Sequence, residues 1–218
     1  MAEKRPDRKP RVVLGIAGGS GSGKSWLARE VAAAFAGRST VICHDWYYKH
    51  NGHLSEEESK KLNFDHPSAL ETALMCRQLD RLAEGEAVEA PIYDYASHTR
   101  LKETRPVEPA PLLILDGILI LHESSLRERM NLSVFIEVPD DVRLVRRVRR
   151  DTIERRVDLH ETLRLYEEFV RPMHHRFVGP SSHHASWIWS QLEDRRFPSL
   201  LIADLKRRLD ETSEAVAA

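Results

Sequence analysis

Eight consecutive residues, Gly18-Gly19-Ser20-Gly21-Ser22-Gly23-Lys24-Ser25, fit the pattern G-x-x-x-x-G-K-[ST]. Glycines let successive backbone N–H groups turn inward around phosphate oxygens, and the start of a following helix adds partial positive charge. In such a loop Lys24 reaches the β- and γ-phosphates, and the Ser25 hydroxyl holds Mg2+. A flexible Gly/Ser turn is the plain alternative. It does not call for an apolar strand before the glycines and a helical pattern after them, and both are present. A dinucleotide fingerprint would need glycine where Lys24 stands.

Two carboxylates and a run of arginines extend the picture. Asp116 ends the apolar run Leu112 to Leu115, where a phosphate-loop protein needs a carboxylate facing Mg2+; a turn former before Gly117 is the alternative. Asp45 ends a second short strand, expected beside the loop in a parallel sheet, and precedes a polar stretch long enough to embrace a substrate. It is the candidate general base, with a helix cap or a solvated strand end as the other reading. Arg143, Arg146, Arg147 and Arg150 fall at i, i+3, i+4 and i+7, while Val142, Val145 and Val148 point elsewhere. Such a cationic face can be solvated, can bind nucleic acid, or can form a lid over a phosphoryl group in transfer. The loop alone says nucleoside triphosphate and not which reaction. The N-K-x-D pattern of GTPases is absent.

The elements that must position these residues follow from length and pattern. The 218 residues suit one domain, and 33 Lys+Arg against 34 Asp+Glu leave a net charge of −1, which excludes a general nucleic-acid binder. Cys43 and Cys76 are too few for a disulfide framework. The N-terminus lacks the apolar core of a signal peptide, and no apolar run reaches the roughly 20 residues of a membrane span, so a cytoplasmic location is expected. Strands are expected over 12–17, 41–43, 112–115, 132–138 and 187–189. Helices are expected over 24–36, 55–62, 126–130, from Pro139 onward, over 158–175, and over 198–209. Another should run from a Ser68/Glu71 capping box to Gly85. Strands alternating with helices indicate a mostly parallel five-stranded sheet covered on both faces. The expected division is a tail over 1–10, one domain over 11–210 with a hairpin insertion at 86–106 and a lid at 141–160, and a tail over 211–218.

Longer segments carry a family resemblance. His44-Asp45-Trp46-Tyr47-Tyr48, Asn63-Phe64-Asp65-His66-Pro67, Pro91 to His98, Asp116 to Leu119 and Arg146 to Asp151 make the sequence similar to the uridine kinase (uridine–cytidine kinase) family of phosphoribulokinase-like P-loop kinases. The resemblance runs from about Val12 to about Pro180. It implies an α/β P-loop kinase fold and ATP, with GTP possible, as donor with Mg2+. The acceptor would be a pyrimidine nucleoside, phosphorylated on its 5′-hydroxyl. It implies Asp45 as base beside the metal, Asp65 and Arg147 on the ribose hydroxyls, and Tyr48, Phe64 and Tyr93 as pocket walls. His98 would read the pyrimidine edge, and Arg150 and Arg155 would close on the phosphates. A homotetramer inhibited by pyrimidine triphosphates is also implied, with neither a membrane nor a nucleic acid as partner.

Several residues depart from the family pattern. His44 stands where glutamine is usual and Trp46 where serine is common. Trp26 opens the first helix, and Asp116 replaces a glutamate. The lid segment E-R-G-R becomes Glu154-Arg155-Arg156-Val157, and Leu165 replaces a glutamine. These changes spare the phosphoryl-transfer residues and bear on the acceptor. A kinase for another hydroxylated metabolite and a non-catalytic nucleotide sensor are the competing expectations. His174-His175 and His183-His184 lack the further ligands that a zinc shell requires.

Overall fold

A computed structural model describes residues 9–52, 58, 62–95 and 97–217. In chain order it holds β1 (Val12–Gly18), α1 (Lys24–Ala34), β2 (Ser39–Cys43), a 3-10 turn over His44–Tyr47, α2 (Thr72–Ala83), β3 (Val88–Asp94) and β4 (Thr99–Val107). There follow β5 (Leu112–Asp116), α3 (Ser124–Arg127), β6 (Leu132–Glu137), α4 (Asp140–Arg149), α5 (Leu159–Leu165), β7 (Trp187–Ser190) and α6 (Phe197–Ala217). A π-wound turn over Arg150–Glu154 prolongs α4, and further turns carry α5 on to Val178.

Five strands form a parallel sheet in the order β2-β5-β1-β6-β7. Alternation along β5 explains its depth. Leu113 and Leu115 enter the core with Tyr47, Leu79 and Phe135, whereas Leu112 and Ile114 enter the core with Leu27, Val134 and Leu205. A strand covered on both faces can carry no polar residue until its end, and β5 carries none before Asp116. β3 and β4 form a separate antiparallel hairpin, as the two strand-like pieces around Tyr93 suggested.

Several expectations are corrected. β2 does not lie beside β1; β5 comes between them, so Asp45 approaches the phosphate loop across the end of β5. Ser68 does not cap a helix. It sits in a 3-10 turn, donates its N–H to His66 Nδ1, and α2 begins only at Thr72. The reason is tertiary: Leu70 bridges to Tyr48, which holds this segment extended, and the Glu71 carboxylate pairs with Arg100 at 2.6 Å. The last helix runs to Ala217, past the boundary expected near 210. The helix expected over 55–62 falls largely outside the described residues.

α4 buries one of its cations and exposes one of its valines. Arg143 is 2% exposed while Val145 is 51% exposed. The Arg143 guanidinium donates to Val138 O at 3.1 Å and to Asp140 Oδ1 at 2.5 Å, which offsets the cost of burying it. The cationic face therefore points at the phosphate loop.

Candidate active site

The loop between β1 and α1 needs glycine for two reasons. Gly21 and Gly23 have φ of 82° and 91°, a region that side chains with a Cβ rarely adopt. A Cβ on Gly19 would also lie 2.3 Å from Arg143 Nη1, and one on Gly21 would lie 2.5 Å from Arg143 O. The missing side chains thus leave room for α4 to pack against the loop. Lys24 is buried and donates to Gly19 O at 3.2 Å, and its burial lowers its pKa. Ser25 Oγ donates to Asp116 Oδ2 at 2.6 Å.

Asp45 sits in the turn after β2. Burial, then the neighbouring Asp116 carboxylate, push its pKa up to about 6, against the pull of Lys24. Asp65 is also raised by burial, opposed chiefly by the Arg147 guanidinium. Around these acids stands an aromatic cup. Tyr48 meets Phe64 edge-on at 5.3 Å and Tyr93 at 5.2 Å, and the His98 ring stacks on Phe64 at 5.0 Å. His98 also has a left-handed φ of 53°, unusual for a residue with a Cβ.

The lid segment is organised by a residue that the sequence reading did not single out. Asp151 is 4% exposed and forms ion pairs with Arg147 at 3.2 Å, Arg150 at 2.8 Å and Arg155 at 3.6 Å. Its spacing of i+4 from Arg147 and i−4 from Arg155 was the available signal. Arg147 also donates to Ser20 Oγ at 2.9 Å. Arg150 turns to Asp151, and Arg155 lies over the Tyr95 ring at 5.4 Å, next to the β3–β4 hairpin.

A second missed residue is Arg100. Its guanidinium donates to Tyr48 O at 2.6 Å, Tyr47 O at 2.8 Å and Glu71 at 2.6 Å, fastening the β3–β4 hairpin to the turn that carries Asp45. Its partners lie 29 to 53 residues away, so no local pattern could reveal it. His44 is buried with its pKa lowered to about 4 and lies 3.3 Å from the Thr72 hydroxyl; it is a neutral packing residue. Arg156 adopts φ of 57°, the conformation glycine favours.

The oxygen donors suit a hard divalent cation. The Ser25–Asp116 pair is preformed, and the proximity of Asp116 to Asp45 leaves negative charge that a cation would relieve. Mg2+ is typically held by one or two carboxylates plus phosphates and water, so this set fits it. No group of three or more His, Cys, Asp or Glu side chains placed to hold a metal ion by themselves occurs among the described residues.

Known proteins share both the sequence and the fold. A uridine kinase from Streptococcus agalactiae serotype V is 42% identical over 179 residues, covering 82% of this chain and 86% of that protein. A uridine kinase from Lactococcus lactis subsp. cremoris MG1363 is 43% identical over 181 residues, covering 83% and 88%. Among solved structures, phosphoribulokinase from Rhodobacter spheroides superposes with a TM-score of 0.61 at 11% identity, over 82% of this chain and 69% of that one. D-glycerate 3-kinase from Cryptococcus neoformans gives 0.58 at 15%, over 79% and 80%. Those two likenesses establish the P-loop kinase fold. The model of the phosphoribulokinase/uridine kinase family matches residues 13–197, and the chain belongs to that family.

Proposed function

We propose that this protein transfers the γ-phosphoryl group of ATP to the 5′-hydroxyl of uridine or cytidine, releasing ADP and the nucleoside monophosphate. The observation that carries this reading is the position of Asp45. It is close enough to Lys24 of the phosphate loop and to Tyr48 of the aromatic cup to perturb the protonation of both.

In this mechanism Tyr48, Phe64 and Tyr93 wall the base, and His98 meets its edge. Asp65 and Arg147 hold the ribose hydroxyls. Asp45 accepts the 5′-hydroxyl proton as the new O–P bond forms and the bond to ADP breaks. Lys24 spreads positive charge over the phosphoryl group while it is in transfer, and Arg150 and Arg155 swing from Asp151 and Tyr95 to join it. The backbone N–H groups from Gly18 to Ser25 cradle the donor phosphates. Mg2+, held by Ser25 and Asp116 with Asp45 beside them, would neutralise charge between the phosphates. A cytoplasmic homotetramer belongs to the same reading, and light scattering of the purified chain tests the assembly.

The test is ADP release across a panel of nucleosides and sugar phosphates, with ATP and GTP as donors. Turnover should be highest with uridine or cytidine. Turnover confined to a non-nucleoside acceptor would overturn the acceptor assignment, and ATP binding without ADP release would point to a sensor.

A further inference from the structure

Trp26 is the aromatic residue near the loop that phosphoryl transfer does not use. It stands two residues after Lys24, in the first turn of α1, and is 43% exposed. Part of its indole is therefore open to solvent beside the loop. It is also propped from behind. The Trp189 ring lies 6.4 Å away at 32°, and Trp189 in turn stacks on Phe197 at 5.2 Å and 13°. Trp189 is buried and donates its indole N–H to Asp194 O at 2.7 Å, so the support is rigid.

Polar groups adjoin this surface. The Gln191 side chain covers Gly23, its Nε2 only 2.6 Å from where a Cβ would stand. Arg146 donates to Gln191 Oε1 at 2.6 Å and more weakly to Gly21 O at 3.4 Å. Trp26, Gln191 and Arg146 thus border the loop with one flat aromatic face, one amide and one guanidinium.

Sheet order decides which part of a donor reaches them. Asp45 and Asp116 come from the ends of β2 and β5, on one side of β1, whereas Gln191 follows β7 on the other. A donor whose γ-phosphate points at Asp45 must carry its base away from β5, toward Gln191 and Trp26. The cavity of about 420 Å3 that also borders Gly19 is lined by Glu137, Asp140 and Glu193 against one guanidinium, Arg143, which is already paired with Asp140, so net negative charge makes it a poor seat for a polyanionic nucleotide.

We propose that the base of the donor nucleotide stacks on Trp26, with Gln191 and Arg146 at its edge. Stacking is indifferent to which purine is present, because every base has a π-face. Adenine and guanine triphosphates should therefore depend on Trp26 alike. The proposal rests on the kinase reading for its donor and not for its acceptor.

Calorimetric titration of the full chain, without any acceptor, tests it. The ligands are non-hydrolysable ATP and GTP analogues and inorganic tripolyphosphate, applied to the wild type, Trp26→Ala and Trp26→Phe. For Trp26→Ala, Kd for both nucleotides should rise about tenfold, or about 1.4 kcal/mol. Tripolyphosphate, which has no base, should bind as to the wild type, and Trp26→Phe should recover most of the nucleotide affinity. Unchanged nucleotide Kd in Trp26→Ala overturns the proposal. So does a parallel loss of tripolyphosphate binding, which would mean that the loop itself was disturbed. Failure of every nucleoside as acceptor would sink the acceptor assignment and leave these Kd ratios standing.

Discussion

Arg147 joins the lid to the phosphate loop: its Nη1 donates to Ser20 Oγ at 2.9 Å while its Nε lies 3.2 Å from Asp151. One guanidinium therefore bridges the π-wound end of α4 and the phosphate loop. The Asp65 carboxylate feels the same cation.

Asp151 holds that arrangement, together with Arg150 and Arg155, so Asp151→Asn tests it without changing side-chain volume. Three guanidinium groups would lose their common counter-charge. Thermal stability should fall by about 1–3 kcal/mol, the usual cost of leaving buried polar groups poorly paired. Turnover should fall more than acceptor affinity, because the arginines would no longer be held for closure. A variant with wild-type kcat would show that Asp151 only packs.

Asp45→Asn should reduce kcat by about 10²–10⁴-fold, the span of general-base catalysis, while donor Kd stays within about threefold. The ionised carboxylate is the active form and its pKa is raised to about 6, so kcat/KM in the wild type should fall as pH drops below about 6. The stability consequence has the opposite direction. A raised carboxylate pKa favours the folded state below the unfolded value of 3.8 and penalises it as pH rises through 6. The asparagine variant should thus melt higher than the wild type at pH 8 and lose that advantage near pH 4, at about 2–4 °C per kcal/mol. An unchanged pH–rate profile in the variant would remove Asp45 from the chemistry.

Arg100→Met keeps the aliphatic stem and removes three polar contacts with Tyr47, Tyr48 and Glu71. The hairpin bearing Tyr93 and His98 would be less well fastened to the turn bearing Asp45. The acceptor KM should rise about tenfold, as loss of about 1.4 kcal/mol implies, with little change in donor Kd. A rise in donor Kd of the same size would mean general loosening of the fold.

Glycine and non-glycine should exchange with opposite signs at two left-handed positions. Gly21→Ala meets both a φ of 82° and the Arg143 carbonyl at 2.5 Å, and should abolish tight donor binding. Arg156→Gly relieves a φ of 57° on an exposed residue and should be neutral or stabilising by up to about 1 kcal/mol. Chemical denaturation of the second variant checks this, and a loss above about 0.5 kcal/mol would refute it.

What the sequence determined alone was set by local pattern. The phosphate loop is contiguous, so eight residues specify its shape and its chemistry together. The buried strands are legible because an apolar run such as Leu112 to Leu115 has no stable exposed alternative. The start of α5 near Asp158 and the β3–β4 hairpin were legible for similar reasons of short range. Contacts that cross the chain were decided only by tertiary structure. The Ser68/Glu71 capping box was locally sound, yet the bridge from Leu70 to Tyr48 and the ion pair to Arg100 claimed its residues. The periodic arginines of α4 marked a cationic face but not its direction. That was settled by Gly19 and Gly21, whose missing side chains leave room for Arg143 to be buried against the loop. Even the neighbour of β1 could not be read in advance, because strand order depends on which faces pack, and β5, more wholly apolar than β2, took the place between β2 and β1.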